Sequence, residues 1–323
     1  MINLVQKKAI NHLLFHCGNL DKTDRTLILC DPGTRSIAEM FIHVANEKNQ
    51  IVELMEIPAL SNHGAEPPPY AADAMQASTL ILSLCQYSLA HSQARLKAAN
   101  TGARFLSLPL YDWTLLEDPS LHIDFKAQAN LVRKFSQVFT EGTHVHVTTE
   151  AGTDIQLNIT GRMGNYCPGF VERAGELGSP PDIEANVSPI ENSAEGIVII
   201  DGSITHPDFG LLQQPIELSV SHGRIVEFRG HQRQVDKLNT LFGLIDSPRR
   251  VLAECGVGLN PAAKLTGIML TDEGALGCMH FGFGANHTMG GLNRVDFHLD
   301  FVFRAATLKV NGQTLLQSGI PQL

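Results

Sequence analysis

Long apolar runs, cysteine pairs and basic clusters are all missing from this sequence. A membrane-spanning helix needs about 18 uninterrupted apolar residues, and no segment approaches that, so no membrane association is expected. The 24 Lys and Arg are outnumbered by 33 Asp and Glu, giving a net charge of −9, and they form no run. Nucleic acid is gripped through its phosphate charge, so no nucleic-acid partner is expected either. The six cysteines, Cys17, Cys30, Cys85, Cys167, Cys255 and Cys278, contain no CxxC pair and no cluster. That spacing argues against a disulfide framework or structural zinc and for free thiols in a reducing compartment. The N-terminal stretch has neither a long apolar core nor a small-residue cleavage site, so a cytoplasmic location is expected. The N-terminal half also lacks a GxGxxG or Walker-type loop, so nothing there claims a nucleotide.

What is present suits two domains, for which 323 residues are ample. Apolar runs at 25–30, 50–57, 80–84 and 104–108 read as strands. Between them lie helical patterns at 1–20, 36–46 and 88–99, and a last helix is expected at 123–139. Strands alternating with helices imply βαβ units, so residues 1–140 are expected to form a doubly wound, mostly parallel α/β sheet. Ligands gather at the carboxyl ends of strands in such sheets, which makes His91, just after the third strand, a candidate substrate-binding residue. From Thr143 short strands at 144–149, 154–159, 197–201, 216–220 and 224–228 are joined by glycine turns. The turn Ser221-His222-Gly223 reads as a hairpin, and 232–244 as a helix. Residues 141–323 are therefore expected to be an α+β domain with antiparallel sheet.

Chemistry concentrates between Glu254 and Phe303, where Glu254, Asp272, Glu273, His280, His287, Asp296, His298 and Asp300 stand among apolar or small neighbours. His298-Leu299-Asp300 lies in an alternating run, and residues i and i+2 of a strand share a face. Met279-His280-Phe281-Gly282-Phe283 alternates likewise. Imidazole and carboxylate together suit zinc, manganese, cobalt or iron. Burying such groups without a metal or close pairing costs several kcal/mol. Upstream, the polar segment holding Glu184 and Glu191 precedes an apolar strand and is a candidate cleft wall.

These pieces occur in a recognisable order: Gly161-Arg162, Glu184 before Ser188-Pro189, Glu191-Asn-Ser-Ala-Glu-Gly196, Glu254 in ECGVGLNP, Asp272-Glu273-Gly-Ala-Leu-Gly277, His280 in HFGFG, and His298-Leu-Asp300. The set resembles the thermophilic-type metalloaminopeptidases of the aminopeptidase T and S group. That resemblance implies two divalent ions, zinc, manganese or cobalt, held by Glu184, Glu254, His280, His298 and Asp300. It implies a hydrolase that cleaves a peptide or small amide with a metal-bridged water. By position Glu191 would be the general base, and a homodimer or higher homo-oligomer is expected. Where that family has a tyrosine seven residues after its first His, this chain has His287, a candidate hydrogen-bond donor to the reacting oxygen. The chain also resembles the dihydroxypyridine dioxygenases, a branch of the same fold with a single Fe(II). Here the shared pieces are His91-Ser92, Glu191–Gly196, Gly290-Gly291 and His298-Leu-Asp300. That branch carries His at the position of Glu254 and an apolar residue at that of His280, and both differences favour the two-metal hydrolase.

Overall fold

Segments with apolar residues on both faces can turn neither face to water, and here they become central strands of a parallel sheet. In the computed structural model, which describes residues 2–323, strands Thr26–Cys30, Leu80–Ser83 and Arg104–Ser107 are buried throughout. Val52–Glu56 flanks them on one edge and Leu177–Gly178 on the other, and all four pairings are parallel. Helices Arg35–Glu47, Pro69–Ala77 and Gln93–Asn100 connect the first four strands. The doubly wound expectation is met, with local differences. The helix expected from residue 88 begins at Gln93, because the Ser92 side chain accepts from the Arg95 amide and caps it there. The helix at Pro69 uses proline in its first turn, where the missing N–H has no partner to lose.

The contacts divide the chain into two units. One runs through Ala127 and takes in Pro168–Pro181; the other comprises Gln128–Cys167 and Asp182–Leu323. The return of the short segment 168–181 supplies the fifth strand of the parallel sheet.

The second unit is built from two antiparallel sheets. The larger follows the order Arg224–Arg229, Ile216–Ser221, Glu195–Ile200, Asp154–Asn158, His144–Thr148, Thr307–Val310, Gln313–Gln317, Ile320–Pro321. His222 at φ 49° and Gly223 at φ 70° make the expected hairpin turn. The second sheet runs Gly210–Leu211, Ser203–Ile204, His298–Arg304, Cys278–Gly284, Leu252–Gly258, Glu184–Val187, Gly164–Cys167. Alternation splits its central strands into an aromatic face and a polar face. Phe281, Phe283, Phe301 and Phe303 are fully buried on the aromatic side. Phe242, from helix Gln232–Phe242, packs 5.8 Å from Phe301 and 6.4 Å from Phe283. Each such ring contributes roughly 1.5–3 kcal/mol through burial. Among the described residues no helix is long and apolar enough to cross a membrane.

Candidate metal centre

The polar face of that second sheet carries Glu184, Glu254, His280, His298 and Asp300 on four neighbouring strands. Register brings them together. Glu254 pairs with Gly282, Gly282 with Asp300, Gly256 with His280, and Gly258 with Glu184. Each ligand-type side chain thus stands beside a glycine. A Cβ on Gly256 would collide with His280 Nε2. A Cβ on Gly282 would lie 2.5 Å from His298 Nε2 and 2.7 Å from Asp300 Oδ1. The two glycines leave open the space into which the side chains converge.

Two triads result, each with ligand atoms within 4.8 Å of one another: Glu184, Glu254, His280 and Glu254, His298, Asp300. Glu254 belongs to both. His280 Nε2 is 3.0 Å from Glu184 and 3.7 Å from Glu254; His298 Nε2 is 3.2 Å from both Glu254 and Asp300. The first triad is closed to solvent. His298 is the open member of the second triad, with 28 % of its side chain exposed.

Burial opposes charging His280, but hydrogen bonds and charge from Glu184 and Glu254 outweigh it and raise its pKa well above the ordinary value. His298 behaves likewise beside Asp300 and Glu254. Burial would raise Glu254, yet the two imidazoles hold it below the usual carboxylate range. Burial dominates for Glu184 and raises it, and Asp182, next to the Glu184 charge, is raised well above normal by the same cause.

Neighbouring groups fix these side chains. His298 Nδ1 lies 2.9 Å from the Ala285 carbonyl, the contact of an Nδ1–H tautomer that leaves Nε2 free for a metal. Asn186 donates to Glu184 Oε1 at 2.7 Å and accepts from Asn165 at 2.7 Å. Asp272, which the sequence marks as unusual, is a structural hub: it accepts from Ser203, Thr266 and Gly267. Four buried acids, Asp182, Glu184, Glu254 and Asp300, meet only two imidazoles. Asp182 Oδ1 and Glu273 Oε1 are shut from solvent without a hydrogen-bond partner, and buried Glu184 Oε2 has only His280 Nε2 beside it, at 3.0 Å. Excess acid, unsatisfied oxygens and glycine-cleared space all fit a divalent cation.

All five residues read from the sequence as metal ligands therefore converge. His287 lies in the turn after the His280 strand, half-buried, and its Nδ1 has no hydrogen-bond partner. Glu191 has both oxygens engaged, by Arg162, Asn286 and the Leu292 amide; against the effect of burial, these donors hold its pKa low. His91 is exposed in the first unit, directly before the Ser92 cap. The sequence reading misses Asp182 and Asn186. Asn186 shares its face with Glu184 by simple alternation, but a four-residue strand inside a polar segment gives too short a pattern to detect.

The model of the family described as "NicX: 2,5-dihydroxypyridine 5,6-dioxygenase" matches residues 20–322. No curated protein matches the sequence. Among solved structures, 2,5-dihydroxypyridine dioxygenase from Pseudomonas putida KT2440 is similar at a TM-score of 0.83 and 20 % identity, covering 98 % of this chain and 96 % of that one. AmpT from Thermus thermophilus is similar at a TM-score of 0.72 and 14 % identity, covering 99 % of each. At these identities the two structures show the fold, and they correspond to the two resemblances read from the sequence.

Proposed function

The chain belongs to the NicX family of 2,5-dihydroxypyridine 5,6-dioxygenases, and from that premise we propose that it is a metal-dependent dioxygenase opening the ring of a small hydroxylated N-heteroaromatic compound. The observation that carries the reading is the Glu254–His298–Asp300 triad, one imidazole and two carboxylates converging from three strands with an exposed edge at His298. One Fe(II) is the proposed ion, and when bound it supplies redox chemistry with dioxygen. The chain's own residues do the rest. The Ala285 carbonyl fixes the His298 ring, and the glycine at 282 keeps the three ligands in one space. His287, with an unpartnered buried Nδ1, is the proposed hydrogen-bonding contact for a ring hydroxyl.

A second reading, a two-ion hydrolase of a peptide or small amide, is favoured by one specific observation: Glu254 is common to both triads. A carboxylate can bridge two ions roughly 3.5–4 Å apart, the arrangement that activates a water for hydrolysis. Glu184 and His280 would then hold the inner ion.

One experiment separates the two. Metal-free protein is loaded anaerobically with Fe(II), or with Zn(II), Mn(II) or Co(II), and ions per chain are counted. Oxygen uptake with 2,5-dihydroxypyridine and cleavage of an amino-acid amide are then followed in parallel. One iron per chain with oxygen consumed in step with loss of the ring supports the dioxygenase. Two ions per chain and amide cleavage without oxygen uptake would replace it with the hydrolase.

A further inference from the structure

Residues 285–297 join the His280 strand to the His298 strand, and a carboxylate outside both triads holds this loop. Glu191 Oε1 accepts from Asn286 Nδ2 at 3.0 Å and from the Leu292 amide at 2.6 Å. Its Oε2 accepts from Arg162 at 2.7 Å, and the same guanidinium donates to the Gly290 carbonyl. The Arg162 and Glu191 side chains are 11 % and 21 % exposed, so this is a largely desolvated ion pair with three anchor points on one loop.

The loop is braced from within. Asn286 is fully buried, accepts from the Asn293 amide at 2.8 Å, and leaves no room for a Cβ on Gly291. Asn293 in turn donates to the Gly284 carbonyl at 2.7 Å. At the base of the loop the Ala285 amide bonds to the Phe297 carbonyl, and the Ala285 carbonyl meets His298 Nδ1. The chain of contacts therefore runs from Arg162 through Glu191 and Asn286 to the residue that orients a metal ligand.

We infer that Glu191 is a positioning residue: with Arg162 it latches loop 285–297, so that Ala285 holds His298 with Nε2 toward Glu254 and Asp300. A general base must offer a lone pair to water and then carry a proton. Glu191 already accepts from three donors, and protonating it would strand Arg162 without its counter-ion, a costly change for a largely buried pair. This role holds whether the centre takes one ion or two, and it does not depend on the substrate.

The test uses the full chain and Co(II) as probe, so no substrate has to be known. The variants are Glu191→Gln, Asn286→Asp, their combination, and Arg162→Lys as a milder change, each first checked for a wild-type circular dichroism spectrum. Arg294 is exposed inside the loop and offers trypsin a reporter bond. Glu191→Gln and Asn286→Asp are each expected to speed cleavage after Arg294 about tenfold, to change the visible Co(II) spectrum, and to weaken Co(II) binding roughly 10–100-fold, as loss of an outer-sphere support does. The combination returns one donor amide and one carboxylate to the contact and is expected to recover most of each loss. A base cannot be moved to residue 286 and still work. The inference fails if Glu191→Gln leaves Arg294 protected and the Co(II) spectrum unchanged, or if the combined variant recovers nothing.

Discussion

At the scale of single residues, the glycines decide whether the ligands can meet. Gly282 sits in register between Glu254 and Asp300, and any side chain there enters the space of His298 Nε2. Gly282→Ala is therefore expected to lower metal affinity by a hundredfold or more while the sheet still forms, as metal analysis and circular dichroism together would show. Full metal content in that variant would mean that the ligands converge elsewhere. His298→Ala should also empty the second triad, since it removes that triad's only imidazole. His280, His298 and Asp300 were legible in the sequence because a polar side chain in an alternating apolar strand must share a face with its i+2 neighbours, and an ionisable group held there needs a partner. The glycines were not, because glycine in a sequence signals a turn as readily as a close approach. Asp272 shows the opposite error: its apolar setting marks it as unusual, yet three donors from its own neighbourhood account for it.

At the scale of elements, short strands and helix ends were the hard parts. Helix Gln232–Phe242 was legible from its period, but the sequence reading carries it to Leu244. The chain leaves the helix at Gly243, where φ is +72°, and Leu244 is 79 % exposed. The helix matters to the site because Phe242 backs the strand that carries His298 and Asp300, through Phe301, and the strand that carries His280, through Phe283. Phe242→Ala is expected to cost about 3–5 kcal/mol of stability, measurable by denaturant unfolding, with the metal ligands untouched. A cost under about 1 kcal/mol would mean that the sheet closes over the gap. Further along the sheet, the Glu184 strand is short, and its partner Asn186 is what orients Glu184. Asn186→Ala should weaken an ion at the Glu184–Glu254–His280 triad roughly 10–100-fold and leave occupancy of the Glu254–His298–Asp300 triad near normal. Equal loss at both would show that Glu254 couples the triads too tightly to be separated.

At the scale of the whole molecule, the fold class was legible from alternation alone, whereas the chemistry was not, because one fold here serves both a dioxygenase and AmpT. The buried charge of the centre has a consequence for global stability that does not depend on that choice. In the metal-free protein His280 and His298 have pKa values raised above 6.5 by their carboxylate partners. Their contribution is fully present below about 6.5, the unfolded value, and is lost as pH rises through the raised folded values. Asp182 and Glu273 work in the same direction: burial keeps them protonated, and folding becomes less favourable above the pH at which the unfolded chain would ionise them. Glu254 acts oppositely. Its depressed pKa stabilises above about 4.5, the unfolded value, and that contribution is lost as pH falls through the folded one. Metal-free protein should accordingly melt highest in mildly acidic solution, near about pH 4.5, with Tm declining from there toward alkaline pH. A bound divalent cation needs the ligands deprotonated, so its binding displaces these protons and strengthens as pH rises. The gap in Tm between metal-loaded and chelator-treated protein is thus expected to widen from pH 5 to pH 9. Parallel melting curves over that range would mean that the imidazoles carry no extra protons in the folded metal-free chain, and that the acids around them are balanced in some other way.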